Sequence, residues 1–346
     1  MKNLLRLTTF LCQLVLFFGL IIDPVSAVPP SPELELQLAA GKKPIPYYLE
    51  HYDEIHQKGV CEPDKLLLRP RSQNNGAQLS SSAAPFRVLA IIVKFSDHDS
   101  SVSAPFFDSM VFSSSGSTVR NYFSEISYTQ IDLVTLNNPS ALGWRTAPQS
   151  YAYYTDSASG LGSYPRNTQK LVEDIVDQVD PLVNFAQYDN NSDGKVDCLL
   201  MIHSGTGAEF SGSNNDIWSH KWAITPRLKD GVTISSYTAQ PEFWSLPGDM
   251  TIGVYSHELL HGFGLPDLYD TDFSSNGIGK WCVMAYGCWN GPGSRGGSPS
   301  HPCAWSRIEL GFATATNVTS NMYATVIDNV NQNSTIYRLW NSGNIG

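Results

Sequence analysis

Apolar residues along this chain follow two repeats, and each repeat predicts an element. Residues 88–95 (VLAIIVKF) form a nearly continuous apolar, β-branched run, and 198–203 (CLLMIH) is a second apolar run. Both have the pattern of strands buried on two faces. Residues 131–136 read as a third strand. Residues 167–179 place Leu171, Ile175 and Val179 at four-residue steps, which draws one apolar stripe along a helix. Residues 117–126 open on Ser/Thr and read as a helix, and 251–261 as another. A Gly/Ser/Pro loop over 291–302 precedes a short helix with Trp305 and Ile308 turned inward. Residues 336–340 look like a final strand. This alternation predicts a mixed α/β (α+β) domain, and no internal repeat is visible.

The pattern weakens toward the N-terminus. Residues 1–27 have a basic start (Lys2, Arg6), a greasy run over 10–22 and small residues at 25–27. These are the parts of a secretory signal. The run is shorter than a membrane span and is broken by Gln13 and Gly19, so cleavage is expected rather than anchoring. Residues 28–85 carry Pro29, Pro30 and Pro32 and end in a Ser/Asn/Gln-rich tract. They read as a propeptide or N-terminal extension with a linker, ahead of a domain over 86–346.

The chemistry concentrates in the 251–261 helix and the turn after it. His257 and His261 are four apart, so on a helix both imidazoles reach one metal ion, and Glu258 can face a water at the open position as general base. Gly264 allows a sharp reversal through positive φ. The reversal brings Asp267 round as third ligand and leaves a fourth tetrahedral position open, the arrangement of a catalytic zinc site. His203, His220 and His301 are spare histidines without that spacing, expected on the surface or satisfied in the core. Met284 sits in an apolar, aromatic turn (KWCVMAYG, 280–287), with Tyr286 beside it as an oxyanion helper.

A second constellation spans 189–197 (DNNSDGKVD). Asp189, Asn191, Asp193, the Lys195 backbone carbonyl and Asp197 supply oxygens at alternate positions, with Gly194 at the bend. That is the front of an EF-hand-like calcium loop, though Leu200 stands where a bidentate Glu would close it. An Asp/Asn-rich turn has the same composition. Cys61, in KGVCEPD, is a candidate latency thiol for the open metal position, with a structural disulfide or an idle thiol as the alternatives.

Composition narrows the setting. The formal charge is −10 and only 16 % of residues are charged. Losing residues 1–27 removes two cations and one anion and leaves −11. No basic stripe marks a nucleic-acid partner. Of six cysteines, Cys12 leaves with the signal. If Cys61 belongs to a removable segment, Cys198, Cys282, Cys288 and Cys303 allow two disulfides in any of three connectivities. Asn317 and Asn333 begin glycosylation sequons, and Asn190 begins a third that should stay bare if its loop holds a metal.

These residues resemble the immune inhibitor A family of secreted zinc metalloproteases, a metzincin-like group. The resemblance spans roughly residues 86–312 and rests on VLAIIVKF, VRNYFSEISYTQIDL, YDNNSDGKVD, IWSHKW, HELLHGFGLPDLYD, VMAYGCWNG and SHPCAWSRIELGF. It implies a zinc-protease fold with a twisted mixed sheet, an active-site helix and a Met-turn in which Met284 floors the metal. It also implies an endopeptidase acting on proteins or peptides, with His257, His261 and Asp267 on zinc, Glu258 as base and calcium as a structural ion. The expected product is secreted and extracellular, with no membrane insertion after signal cleavage; oligomeric state is open. The N-terminal extension matches the family poorly, and members usually continue past the point where this chain stops, which suggests truncation at Gly346. The rival reading is a secreted, non-catalytic, metal-stabilised binding or adhesion protein.

Overall fold

The longest apolar runs lie at the centre of the sheet. The computed structural model describes residues 27–64, 84–270, 274–275 and 277–339. The signal expected over 1–27 lies outside these residues except for Ala27, as does nearly all of the polar tract before residue 84. Nine strands are described: β1 (Ala84–Arg87), β2 (Leu89–Lys94), β3 (Ile131–Val134), β4 (Arg145–Thr146), β5 (Leu199–Thr206), β6 (His220–Lys229), β7 (Val232–Phe243), β8 (Thr314–Asn317) and β9 (Thr335–Arg338). The main sheet has the order β4-β2-β5-β7-β6. The first four strands run parallel and β6 lies antiparallel at the edge, so the domain is α/β with a twisted mixed sheet. β1 and β3 pair separately, and so do β8 and β9.

Eleven α-helices are described. They are α1 (Pro32–Ala39), α2 (Tyr47–Glu50), α3 (Tyr52–Gln57), α4 (Ala104–Phe112), α5 (Val119–Ile126), α6 (Pro139–Leu142), α7 (Tyr151–Thr155), α8 (Thr168–Val179), α9 (Ala208–Ser211), α10 (Ile252–Gly262) and α11 (Ala304–Glu309). The predicted stripe on α8 is buried, and Asn167 caps its start by accepting from Lys170 N–H. In α5, Thr118 accepts from Asn121 N–H, while Val119, Tyr122, Phe123 and Ile126 face inward. Both caps satisfy donors that a helix start leaves orphaned. No described helix is long and apolar enough to cross a membrane.

α10 differs in kind: every one of its residues is buried. It lies between the sheet, α5 and the 286–289 turn. Gly253 makes that approach feasible, since a Cβ there would stand 1.9 Å from the Cys288 carbonyl oxygen.

One expectation needs correction, and one element is new. Trp305 is 47 % exposed, and α11 turns Ser306 and Arg307 inward instead, with Ile308 half-buried. The buried guanidinium dictates that rotation: it donates to the carbonyls of Pro302 and Val330 and to the Tyr128 hydroxyl. A buried cation without such acceptors would be costly. The β6–β7 hairpin was not anticipated. Its two-residue loop is Asp230-Gly231, both at positive φ, which matches the right-handed twist of the flanking strands.

Residues 27–64 do not form a core of their own, but they bury Ala27, Val28, Leu34, Tyr48, Ile55, Val60 and Cys61 against the domain. Each short helix contributes one buried side chain, namely Leu34, Tyr48 and Ile55. Apolar contact with the domain replaces the missing internal core.

Candidate metal centre

The helix delivers two imidazoles and the turn after it delivers a carboxylate. Gly264 has φ +101°, and its N–H bonds to the His261 carbonyl at 3.0 Å. Leu265 N–H reaches back to Leu260 at 3.0 Å, and Leu268 N–H donates to the Met284 carbonyl at 2.7 Å. This reversal places Asp267 Oδ1 3.0 Å from His257 Nε2, and Oδ2 3.4 Å from His261 Nε2. One ligand atom from each of the three residues lies within 4.8 Å of the others. The imidazole planes stand 89° apart with centroids 4.9 Å distant.

The far sides of both rings are fixed by backbone. His257 Nδ1–H donates to Val283 O and His261 Nδ1–H to Leu265 O, each at 2.8 Å. Such bonds select the tautomer that leaves Nε2 with a lone pair, the usual outer support of a metal-binding histidine. His261 Nε2 and Glu258 Oε2 are buried without hydrogen-bond partners, and His257 Nε2 faces only the Asp267 carboxylate. Orphaned buried groups of this kind are costly unless an ion completes them. The nitrogen and carboxylate donor set fits zinc.

Electrostatics follow from burial. Desolvation pushes Glu258 up to about 8, against the pull of His257. Burial also disfavours charge on His257, but the Asp267 and Glu258 carboxylates outweigh it and raise that ring to about 9. His261 is driven down by burial and by its neighbour His257.

Segment 27–64 covers this site. Val28 N–H donates to Glu258 Oε1 at 3.3 Å. Trp218 Nε1–H holds the Val28 carbonyl at 3.0 Å and Trp289 Nε1–H holds that of Pro29 at 2.9 Å. Tyr269 donates to Ala27 O, and Tyr48 receives Ala27 N–H at 2.8 Å. Farther along, Cys61 is fully buried, and its Sγ groups with a Glu258 oxygen and a His261 nitrogen within 4.8 Å. Its turn is clamped by Lys221. The Lys221 carbonyl accepts Cys61 N–H at 2.6 Å, its N–H reaches Cys61 Sγ at 3.1 Å, and its Nζ meets Asp64 Oδ1 at 2.7 Å and Glu62 O at 2.5 Å.

The other expected residues lie elsewhere. Met284 is fully buried, its carbonyl accepts Leu268 N–H, and its neighbour Val283 carries the His257 bond. His203 bonds Ser204 O, His220 bonds Thr168, Tyr237 and Trp218 O, and His301 meets Arg307 and Glu125. Tyr286 engages Glu35. Reading by spacing did not find Val28, Tyr48, Trp218, Lys221, Tyr269 or Trp289; all depend on contacts distant in sequence.

The acidic loop also gathers. Asp189, Asp193 and Asp197 approach within 4.8 Å of one another. Asp197 is 4 % exposed, and burial raises its carboxyl to about 6. Its Oδ2 accepts Asn190 N–H at 2.6 Å, while Oδ1 is buried and without a partner. Asn191 Oδ1 accepts Asp193 N–H, and Lys195 N–H donates to Asp193. The Asn190 amide donates to Arg87 O at 3.0 Å, which occupies the nitrogen a glycan would need.

A family model described as the immune inhibitor A peptidase M6 catalytic domain matches residues 102–312, a span holding every residue of both clusters except Cys61. Immune inhibitor A of Bacillus thuringiensis subsp. alesti is 33 % identical over 208 residues, covering 50 % of this chain and 29 % of that protein. The pre-pro-metalloprotease PrtV of Vibrio cholerae serotype O1 (strain M66-2) is 28 % identical over 239 residues, covering 58 % of this chain and 25 % of its own. The matches therefore span under a third of those relatives. With more than half of its length matched by that model, the chain belongs to the immune inhibitor A peptidase M6 family.

Proposed function

We propose that this chain is a secreted, zinc-dependent endopeptidase that hydrolyses peptide bonds of proteins. The observation that carries the reading is the convergence of His257 Nε2, His261 Nε2 and the Asp267 carboxylate, with Glu258 beside them. Bound zinc supplies Lewis acidity to a scissile carbonyl and lowers the pKa of a water. Glu258 takes the proton of the attacking water and hands it to the leaving amine. Its place beside the three ligand groups suits both halves of that exchange. Val283 and Leu265 keep the imidazoles aimed through their carbonyls.

Substrate enters only after residues 27–64 leave, because Val28 occupies Glu258. Cys61 acts in the same cover as a latency thiol beside Glu258 and His261. The Asp189, Asn191, Asp193, Lys195 and Asp197 loop is read as a structural calcium site, supported by the buried, unpartnered Asp197 Oδ1. The match to a peptidase catalytic domain and the relative named as a pre-pro-metalloprotease support protein or peptide substrates.

The test is Glu258→Gln in chain freed of the cover. Zinc content should match the wild type, while casein digestion falls by about 100-fold or more. Chelator should silence the wild type. Undiminished digestion by the variant rules out Glu258 as base; a wild type that holds zinc but cuts nothing favours the binding-protein reading.

A further inference from the structure

Two of the five described cysteines face each other across the floor of the site. Cys282 opens the Met-turn, and its carbonyl accepts the N–H groups of Ala285 and Gly287 at 3.1 Å. Cys303 caps α11, its carbonyl accepting Arg307 N–H at 2.9 Å. Cys303 N–H donates to Cys282 Sγ at 3.2 Å, which places the two side chains side by side, and each thiol shifts the pKa of the other. The other cysteines look elsewhere. Cys198 Sγ packs against Gly262 on α10, Cys61 lies at the Lys221 clamp, and Cys288 is a fully buried thiol whose backbone carbonyl faces Gly253.

We propose that Cys282 and Cys303 form a disulfide that braces the Met-turn beneath His257, leaving Cys198 and Cys288 as buried thiols. Of the three connectivities open in the sequence, this selects one bridge rather than two. Its second half, the brace on His257, rests on the zinc reading; the bridge itself does not.

Reactivity is divided between the partners. Cys282 is fully buried, whereas Cys303 is partly exposed. Cys303 is the partner that an external disulfide can reach, so its thiolate attacks first. The oxidant is a small-molecule or protein disulfide of the secretory route. Cys303 Sγ attacks one of its sulfurs and releases the first thiolate. Cys282 then passes its proton to that thiolate and attacks Cys303 Sγ, expelling the second thiol. One external disulfide becomes two thiols as two protein thiols become one disulfide.

The consequence runs through one residue. Val283 lies between Cys282 and Met284, and its carbonyl holds His257 Nδ1–H at 2.8 Å. A bond from Cys282 to α11 ties that carbonyl to a second element. Removing outer support of this kind weakens metal retention by about 10-fold or more.

Full chain secreted from an oxidising host is denatured, alkylated without reductant and mapped by peptide mass spectrometry. A linked pair containing Cys282 and Cys303 is expected, with Cys61, Cys198 and Cys288 alkylated. Recovery of Cys282 and Cys303 as alkylated thiols, or either one linked elsewhere, overturns the bridge. Reductant should lower the wild-type Tm by about 6–12 °C. Cys303→Ser should show that lower Tm already and respond no further; a continued response in the variant also refutes the bridge. Zinc release to a chelator should quicken about tenfold in Cys303→Ser, and an unchanged rate refutes the brace. Protein that binds no zinc in any state would sink the metalloprotease reading, while the peptide map still decides the bridge.

Discussion

Lys221→Met should raise the activity of the uncut chain. Lys221 is 5 % exposed at its side chain and makes the ion pair that pins the end of the cover, Nζ to Asp64 Oδ1 at 2.7 Å. Methionine preserves most of the stem packing while deleting the charge. The cost lies between two limits. Fully buried pairs lose about 3–5 kcal/mol when one partner goes, and exposed pairs about 0–1 kcal/mol. Asp64 is 28 % exposed and keeps a hydrogen bond from Ser236, so about 2 kcal/mol is the reasonable figure. This energy stabilises only the closed state, in which Asp64 meets Lys221. Losing it multiplies the open population about 30-fold.

The assay is hydrolysis of a fluorogenic peptide by uncut chain, with zinc content and Tm measured on the same preparation. An increase near 30-fold at normal zinc is expected, and Lys221→Arg should stay close to the wild type. If Lys221→Met leaves hydrolysis unchanged at normal zinc content, the clamp does not govern access and the reasoning fails.

Buried groups set three further outcomes. Glu209 is fully buried, and desolvation raises it to about 7, against two hydrogen bonds from Ser219. A carboxyl raised in the folded state stabilises below its unfolded pKa, and that contribution is lost as pH climbs from about 4.5 to 7. Glu209→Gln should therefore shrink the stability difference between pH 5 and pH 8 in urea titrations by up to about 3 kcal/mol; an unaltered difference contradicts the shift. Gly253→Ala forces a Cβ to 1.9 Å from Cys288 O and 2.8 Å from Gly296 Cα, and should cost about 3 kcal/mol in guanidinium unfolding. A loss below about 0.5 kcal/mol would show that α10 can shift freely. Calcium should raise the wild-type Tm and leave Asp197→Asn unmoved; a wild type indifferent to calcium removes the ion from the acidic loop.

What was legible in the sequence was local. The helix period, one glycine and a turn carry His257, Glu258, His261 and Asp267 within eleven residues, so spacing alone could forecast their meeting. The run VLAIIVKF likewise announces β2, because a strand buried on both faces needs no alternation. The Asp230-Gly231 hairpin was present as a dipeptide signal between two β-rich stretches and went unread. The cover was out of reach for a physical reason. Val28 meets Glu258 across 230 positions, and its burial comes from the domain's surface rather than from any repeat of its own. Trp305 misled because hydrophobicity was weighed without Arg307, whose need for carbonyl acceptors decides which side of α11 faces inward.

If the cover works as proposed, its removal lifts inhibition and readies the catalytic group in one event rather than two. Glu258 has two oxygens; Oε1 receives Val28 N–H and Oε2 is orphaned beside the metal ligands. While Val28 N–H holds Oε1, only Oε2 is left to accept from a water, and the segment lies against the carboxylate. Trp218 and Trp289 hold the carbonyls of Val28 and Pro29 from buried positions, so the segment is bonded through its backbone, as a substrate would be. On release, these two indole N–H donors and Glu258 are vacated together. The groups that secured the cover then present an unpaired donor pair and a free carboxylate at the cleft. An extended substrate backbone would offer those donors the same carbonyls that Val28 and Pro29 offer now, so in the proposed reaction it takes the place of the cover.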